Sequence, residues 1–318
     1  MISKTLVIGA CGQIGSDLTY KLRSELGADN VIASDIKESN MELVNSGPFE
    51  IIDAKNGKQI KNCILKHNVD TVYLMAALLS ATGEKFPQKA WNLNTTSLLH
   101  VLNLAKNKVI SKVFWPSSIA VFGPSTPKIN TPQSTVMEPT TVYGITKQVG
   151  ERWCEYYYNN YGVDVRSIRY PGIISWKTLP GGGTTDYAID IFHKAISKGH
   201  YDCFLIEDTA LPMMFMEDAV KATLDIMNAK FEDIKIRSSY NLSAISFTPK
   251  QLAAEIVKHL PEFTINYKPD FRQKIANSWP NSIDDTSARQ DWGWSHSYDL
   301  EAIANEMLTQ LGTEKPLA

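Results

Sequence analysis

A tyrosine and a lysine four residues apart form the pair in this sequence that is best suited to proton transfer. On a helix, Tyr143 and Lys147 would share one face, so that a phenol and an ammonium could meet around one ligand. A free phenol has a pKa of about 10, and a neighbouring ammonium lowers this pKa because it stabilises the phenolate. The pair could therefore act as a base, although the same spacing also arises by chance on helices.

Ser118 could complete a catalytic group with this pair. It follows a predicted strand at 112–115, and doubly wound folds bind their ligands at the carboxyl ends of their strands. Its hydroxyl could hydrogen-bond the oxygen of a reacting alcohol or carbonyl. We therefore predict that Ser118, Tyr143 and Lys147 are the catalytic residues.

A glycine motif follows the first predicted strand, at 5–8. Its sequence, Gly9-Ala10-Cys11-Gly12-Gln13-Ile14-Gly15, has a G-x-x-G-x-x-G spacing and opens a predicted helix at 13–26. Glycines there permit a tight turn and let the backbone approach a pyrophosphate, to which the helix N-terminus offers free N–H groups. Alone, the motif could also be a glycine-rich turn of any α/β protein.

Asp35 turns this motif into a prediction of a dinucleotide site. It follows the second predicted strand and lies 20 residues after Gly15. An acidic side chain there accepts hydrogen bonds from the adenosine ribose hydroxyls and repels a 2′-phosphate, which favours NAD over NADP. Lys37 weakens this preference, since a basic residue can accommodate that phosphate. Asp53 could touch the adenine, or it could serve a turn or a helix cap.

Strands alternate with helices through the first half of the chain. This alternation predicts the α/β class and a doubly wound parallel (Rossmann) sheet over residues 1–173. A predicted helix at 141–161 carries the tyrosine and the lysine, and a predicted strand at 163–169 follows it. The sheet and this helix are therefore the elements that must position the catalytic group.

The second half of the chain has a less regular pattern. Prolines recur after Pro171, which predicts a smaller α+β substrate domain over residues 174–318. Segments near 214–245 are expected to return to the Rossmann sheet. A final helix is predicted from Tyr298 to about Leu311, because its apolar residues fall on one face.

Composition excludes several classes of partner. The 32 Lys and Arg residues nearly balance 34 Asp and Glu residues, so the formal charge of -2 gives no reason to expect nucleic acid or an anionic membrane. The sequence shows no signal-peptide pattern and no membrane-spanning stretch, which predicts a cytoplasmic protein. Its four cysteines lie far apart and follow no disulfide motif, and its six histidines are scattered. Neither disulfides nor a metal site is therefore expected.

The combined motifs resemble the extended short-chain dehydrogenase/reductase family, which includes the nucleotide-sugar epimerases and dehydratases. The glycine motif, Ser117-Ser118-x-x-Val121-Phe122-Gly123, the tyrosine–lysine pair and Arg169-Tyr170-Pro171-Gly172 carry the resemblance over nearly the whole chain. Phe122 stands where these relatives usually have tyrosine. Together, the residues and the resemblance predict a set of NAD contacts: Gly9, Gly12, Gln13, Ile14, Asp35, Asp53, Leu74, Ala76, Asn94, Tyr143, Lys147 and Tyr170.

Four further segments are similar to the metal-independent L-threonine 3-dehydrogenases of this family. They are Leu78–Glu84, Pro180–Ala188, Leu211–Met216 and Asp291–Trp294. The resemblance implies threonine catabolism by NAD-dependent oxidation of L-threonine at its 3-hydroxyl, which gives L-2-amino-3-oxobutanoate. Glu217 departs from the group, which often has proline there.

The small, charged substrate that this implies needs few but polar contacts. The predicted substrate contacts are Ser80, Ser118, Tyr143, Thr184, Thr185 and Asp186. Asp186 could orient the ammonium, directly or through water. Thr184–Asp186 could instead be the N-cap of a following helix, and both interpretations could hold together.

Two alternatives remain open from the sequence. A nucleotide-sugar epimerase would need basic groups for a diphosphate, for which Arg169 and Arg272 are the candidates. A non-catalytic NAD(H)-binding regulator would not need the catalytic residues. The aromatic residues Trp153 and Tyr156–Tyr158 lie on the predicted helix of Tyr143, where family members commonly pair with a second copy, so a homodimer is expected.

Overall fold

A computed structural model of the protein describes residues 4–177, 181 and 183–313, apart from the side chains of Ala81 and Thr313. Pro180 and Gly182 of the glycine-rich segment therefore lie outside the described residues. No helix in the described part of the chain is long and apolar enough to cross a membrane, and no group of acidic, His and Cys side chains there could hold a metal ion.

The first half of the chain alternates strands and helices as predicted. Its elements are β1 (Lys4–Ile8), α1 (Gln13–Leu26), β2 (Val31–Asp35), α2 (Met41–Asn45), β3 (Phe49–Ile51), α3 (Gly57–His67), β4 (Val69–Leu74), α4 (Ser80–Lys85), α5 (Pro87–Lys106), β5 (Lys112–Phe114), β6 (Ser117–Ser118), α6 (Val142–Tyr161), β7 (Asp164–Arg166) and β8 (Ile168–Tyr170).

The second half continues with shorter strands between its helices. Its elements are β9 (Gly172–Ile174), α7 (Tyr187–Lys198), β10 (His200–Cys203), β11 (Leu211–Phe215), α8 (Met216–Asn228), β12 (Tyr240–Asn241), β13 (Ile245–Phe247), α9 (Pro249–His259), β14 (Thr264–Tyr267), α10 (Phe271–Ala276), α11 (Thr286–Trp292) and α12 (Leu300–Thr313).

A six-stranded parallel sheet forms the centre of the fold, in the order β3-β2-β1-β4-β5-β7. The order reverses between β1 and β4, and a crevice for a ligand opens at such a switch point. Alternate residues of the strands face two separate cores. One core packs the sheet against α1 and α8, and the other packs it against α3, α5 and α6. The predicted α/β Rossmann fold is confirmed.

Residues 163–169 do not form the single strand that was predicted. They form β7, which pairs with β5, and β8, which pairs with β6 and β12. The neighbouring strand is interrupted at Pro116, which has no N–H to donate to a ladder. The pairing partner therefore changes at this point, and the second sheet delivers Ser118 to the crevice.

The second half adds strands next to those of the first half. Strand β12 pairs in parallel with β8, and β11 pairs in parallel with β9. A third core gathers residues of α7, α9 and α12 together with residues 119–122. Because β9 runs across residues 173 and 174, the two halves are joined there by a continuous strand, and the division into domains at this point stays a prediction.

Helix α6 has clear end signals in its sequence. The Thr141 hydroxyl accepts a hydrogen bond of 3.1 Å from the Gly144 N–H, which caps the first turn. The helix ends at Gly162, which has a left-handed φ of 65°. Tyr143 and Lys147 are thereby fixed in the first two turns of the helix.

A buried ion pair joins α6 to the second sheet. Arg169 donates from Nε and Nη2 to the two carboxylate oxygens of Glu151, both at 2.8 Å. The Ser117 hydroxyl donates to the same carboxylate at 2.6 Å, and Arg169 also donates to Asn241 at 2.8 Å. The pair therefore ties β6, α6, β8 and β12 together without access to water.

We expect Arg169→Met to lower the free energy of unfolding by about 3–5 kcal/mol, because the buried Glu151 carboxylate would lose its charged partner. The double variant Glu151→Met/Arg169→Met should recover most of the loss. Arg152→Met removes an exposed ion pair with Glu155 on the same helix and should cost about 1 kcal/mol at most. Urea unfolding of the four proteins checks this, and equal losses in the two single variants would contradict it.

Candidate active site

The glycine loop after β1 packs directly on the end of β4. Gly9 has a φ of +89°, and a Cβ there would lie 2.5 Å from the Ala76 backbone nitrogen. A Cβ on Gly15 would collide with the Gly9 carbonyl. Glycine is therefore required at both positions for the turn and for the close approach of helix and strand.

The start of α1 is free to receive an anion. Its N-cap, Gly12, provides no side-chain hydrogen bond, and its first turn carries no acidic residue among these fully described positions. The side-chain amide nitrogen of Gln13 is buried and has no partner among the described residues. Free N–H groups, a positive helix end and this unpaired donor fit a bound pyrophosphate.

Asp35 is held at the mouth of the same crevice. Its carboxylate accepts a hydrogen bond of 2.9 Å from the Cys11 N–H and one of 2.7 Å from the Ile36 N–H. Asp53 lines the same cleft, but its carboxylate also accepts the Lys55 N–H at 2.9 Å within a turn. Both interpretations of Asp53 are thus compatible with its position.

Two other predicted cofactor contacts lie away from the described cavity walls. Leu74 is buried in the core on the side of α3, α5 and α6. Asn94 is engaged by its own protein, since its amide bonds the Leu78 N–H at 2.9 Å, the Leu78 carbonyl at 3.1 Å and the Thr146 hydroxyl at 3.1 Å. Ala76, at the end of β4, does line the adenosine end of the cleft.

A cavity of about 230 Å³ continues from the glycine loop towards α6 and α7. It brings together most of the residues that the sequence singled out for chemistry. Those that line it are Gly9, Gly12, Gln13, Ile14, Ser80, Ser118, Tyr143, Lys147, Tyr170, Thr184, Thr185 and Asp186. The sequence thus predicted one shared site from segments that lie more than a hundred residues apart.

Tyr143, Lys147 and Ser118 meet in this cavity. The Lys147 ammonium lies 5.4 Å from the centre of the Tyr143 ring and donates a hydrogen bond to the Pro116 carbonyl. Burial lowers the pKa of Lys147 to about 7. Burial also raises the pKa of Tyr143 to about 12, and a hydrogen bond with Ser118 partly offsets this rise. At neutral pH, Tyr143 is therefore uncharged and Lys147 is divided about equally between its two forms in the protein alone.

Asp186 occupies the N-cap position of α7 without capping it. Its carboxylate makes no hydrogen bond to the first turn, and it accepts the Gly183 N–H at 2.6 Å instead. Thr184 is buried, and a Cβ on Gly172 would lie 2.7 Å from Thr185 Cγ2. The segment is therefore packed tightly against β9 with its polar groups at the cavity.

Trp279 also lines the cavity, although the sequence gave no reason to select it. It lies in an irregular segment between α10 and α11, where neither helical nor strand periodicity marks an inward face. A Trp next to a Pro in such a segment is the only signal that could have suggested a fixed, buried position. Tyr170, predicted as a cofactor contact, lines the cavity, and its hydroxyl is bonded to Thr223.

The two arginines that could have held a diphosphate are engaged elsewhere. Arg169 is paired with Glu151, and the Arg272 guanidinium lies 3.2 Å from the centre of the Phe204 ring and pairs with Asp270 at 2.6 Å. Neither lines the cavity. Among the described lining residues, Lys147 is the only cation and Asp186 is the only carboxylate.

A sequence profile described as the NAD dependent epimerase/dehydratase family matches residues 5–243. The chain belongs to this family. An uncharacterized epimerase/dehydratase of Staphylococcus haemolyticus is 46% identical over 96% of this chain and 97% of its own. NAD is accordingly the cofactor, as the glycine loop and Asp35 predicted, and the predicted membership of the wider dehydrogenase/reductase family is confirmed.

Solved structures of the family extend this similarity. A partial-consensus L-threonine 3-dehydrogenase is 55% identical with a TM-score of 0.96, over 98% of this chain and 100% of its own. The holo form of an L-threonine dehydrogenase from Cupriavidus necator is 54% identical with a TM-score of 0.94, over 97% and 99% of the two chains. The resemblance to threonine dehydrogenases that the sequence motifs carried is therefore confirmed.

We expect Asp35→Asn to raise the KM for NAD about tenfold, because the ribose hydroxyls would lose a charged acceptor. The KM for NADP should fall relative to that for NAD, since the charge that repels the 2′-phosphate is gone. Asp29→Asn, at an exposed position beyond α1, is the matched control and should change neither value. Unchanged cofactor preference in Asp35→Asn would show that this carboxylate does not face the ribose.

The low pKa of Lys147 predicts a pH dependence of stability in the NAD-free protein. From about pH 7 to about pH 10 the unfolded chain binds a proton that the folded chain lacks, so stability rises with pH through this window. Lys147→Met removes the effect, and its free energy of unfolding relative to the original protein should fall as pH rises. Urea unfolding from about pH 6 to about pH 9.5 checks this. A constant difference would contradict it, and Lys258→Met at an exposed site should show that constant difference.

Proposed function

We propose that the protein oxidises L-threonine at its 3-hydroxyl with NAD and releases L-2-amino-3-oxobutanoate. One observation carries the proposal: the Tyr143, Ser118 and Lys147 group shares its cavity with a single carboxylate and a few hydroxyls. Such a lining suits a small zwitterion that bears an alcohol. It offers no cluster of cations for the diphosphate of a nucleotide sugar.

In the proposed reaction, Tyr143 as a phenolate takes the proton of the substrate hydroxyl. Ser118 donates a hydrogen bond to the same oxygen and holds it in place. Lys147, when protonated, stabilises the phenolate and binds the nicotinamide ribose. NAD supplies the acceptor for the hydride that leaves C3 of threonine, so the alcohol becomes a ketone.

The remaining lining residues position the amino acid. Asp186 is assigned to the ammonium because it is the carboxylate of the cavity, and its bond to the Gly183 N–H fixes its direction. Ser80, Thr184 and Thr185 offer hydroxyls to the substrate carboxylate. Burial of the site excludes water, which strengthens each of these interactions.

A nucleotide-sugar epimerase is the second candidate, since the similar protein of Staphylococcus haemolyticus is named an uncharacterized epimerase/dehydratase. Such an enzyme would return the hydride to its substrate and release no NADH. The pairing of Arg169 with Glu151 and of Arg272 with Asp270 argues against it. A regulator without catalysis would have no use for the three converging groups.

A homodimer through α6 is the arrangement we propose in solution, in a cytoplasmic protein. Trp153 packs edge-on against Tyr156 and Tyr157 on this helix, and Tyr156 is 46% exposed. Trp91, on the adjacent helix α5, is 43% exposed. Apolar rings of this size suit a face that a second copy covers.

The absorbance of NADH tests the proposed function with purified protein, NAD and a set of alcohols. L-Threonine should turn over well above D-threonine, L-serine, 3-hydroxybutyrate and UDP-galactose, with or without a metal chelator. Tyr143→Phe should lower kcat about 10²–10⁴-fold because the base is lost, while NAD binding persists. Tyr158→Phe, on the same helix, should leave turnover unchanged. If the folded, NAD-binding protein produces no NADH with threonine, the substrate assignment is wrong.

A further inference from the structure

We infer that Trp279 forms the wall against which the methyl group of the substrate packs, and that Lys128 is the positioning residue that holds this wall. The inference rests on the proposed function and names a specificity determinant of its site. It makes Trp279 responsible for the preference for threonine over serine, whose side chains differ by that methyl group.

The cavity leaves an apolar place for one small group. The reacting hydroxyl is assigned to Tyr143 and Ser118, and the ammonium and carboxylate are assigned to the polar side chains. The substituent of C3 that remains is the methyl group. The apolar side chains that line the cavity include Leu79, Ile119 and Trp279.

Trp279 is the largest of the three and is buried. Only 6% of it is exposed, and it belongs to the same core as Ile119, against which Tyr143 also packs. Leu79, by contrast, is 49% exposed and lies at the mouth of the crevice. A buried ring in the wall of the cavity that Tyr143 also lines can therefore limit the size of the group on C3.

Lys128 holds the segment of Trp279 from the opposite side. Its ammonium donates to the carbonyls of Ser278 at 2.7 Å, Trp279 at 3.2 Å and Gly123 at 3.3 Å. Its own carbonyl accepts the N–H groups of Asn281 at 2.8 Å and Ser282 at 3.1 Å. The lysine is half-buried, so these bonds are partly shielded from water.

These bonds connect the wall to the catalytic strand. Gly123 ends the segment that begins with Ser117 and Ser118, and Lys128 bridges this segment to the carbonyl of Trp279 itself. The Thr140 hydroxyl, next to the cap of α6, also contacts the Ser278 hydroxyl at 3.4 Å. Lys128 therefore fixes the backbone that carries the indole relative to the segment that carries Ser118.

The first test measures kcat/KM for L-threonine, L-serine and 2-amino-3-hydroxypentanoate, which is longer than threonine by one methylene group. Trp279→Ala should lower the ratio of threonine to serine about tenfold and raise relative turnover of the longer substrate. The KM for NAD should stay unchanged. Trp279→Phe, which keeps an aromatic ring, should give an intermediate ratio and serves if the alanine variant does not fold.

Lys128 is tested through the same ratio. Lys128→Met should lower the selectivity for threonine in the same direction, mainly by raising the KM for threonine, and Lys128→Arg should restore most of it. Lys258→Met is the surface control and should match the original protein. A uniform loss of kcat with all substrates, or no rescue by arginine, would show that Lys128 only stabilises the fold and would overturn its positioning role.

The outcomes separate this inference from the proposed function. If the original protein oxidises threonine and Trp279→Ala keeps the original ratio of threonine to serine, the inference fails and the proposed function stands. If the original protein does not oxidise threonine, the proposed function and the inference both fail. Binding of threonine to the NADH complex, followed by tryptophan fluorescence, adds a readout without turnover. The change in fluorescence on threonine binding should be lost in Trp279→Phe, and full retention of that change would also overturn the inference.

Discussion

The carboxylate of Glu151 fixes the geometry of the candidate site. It lies one helical turn after Lys147 and receives the Ser117 hydroxyl and the Arg169 guanidinium at 2.6–2.8 Å. The helix that presents Tyr143 is thereby held in register with the strand that presents Ser118. A buried pair of this kind adds little net stability, but it is costly to break, and its main consequence is that only one arrangement of the helix and the strands satisfies it.

The two ionisable groups of the candidate site lie on the helix that Glu151 ties to the second sheet. Burial raises the pKa of Tyr143 and lowers that of Lys147, so neither group carries its charge readily in the protein alone. A Tyr143 phenolate, as the proposed mechanism requires, therefore needs positive charge close to it, and a protonated Lys147 is the nearest source of that charge.

Local signals in the sequence explain which parts of the fold could be predicted. The ends of helices α1 and α6 were predicted to within a residue, because residue types that favour helix ends stand at Gly12, Thr141 and Gly162. The glycine loop and Asp35 could be predicted as cofactor contacts for the same reason, since their spacing reflects one strand–turn–helix unit.

Features that depend on distant partners could not be predicted in this way. The break at Ser167 follows from the interruption of a neighbouring strand at Pro116. The side chain of Leu74 lies in the core, and the sequence gives the end of this strand but not the direction of each side chain. The Asn94 side chain makes hydrogen bonds to Leu78, in a loop, and to Thr146, on helix α6. Trp279 is buried in a core whose other residues lie far from it along the chain.

The bond from Lys128 to Ser278 spans 150 residues, and this has a consequence for how the molecule folds. A bond between residues so far apart cannot form until the chain has been synthesised as far as Ser278. During synthesis, a chain that has emerged only to α8 already contains the glycine loop and the three predicted catalytic residues, but it lacks the indole side of the cavity. The wall that Trp279 forms is therefore the part of this cavity that is added last.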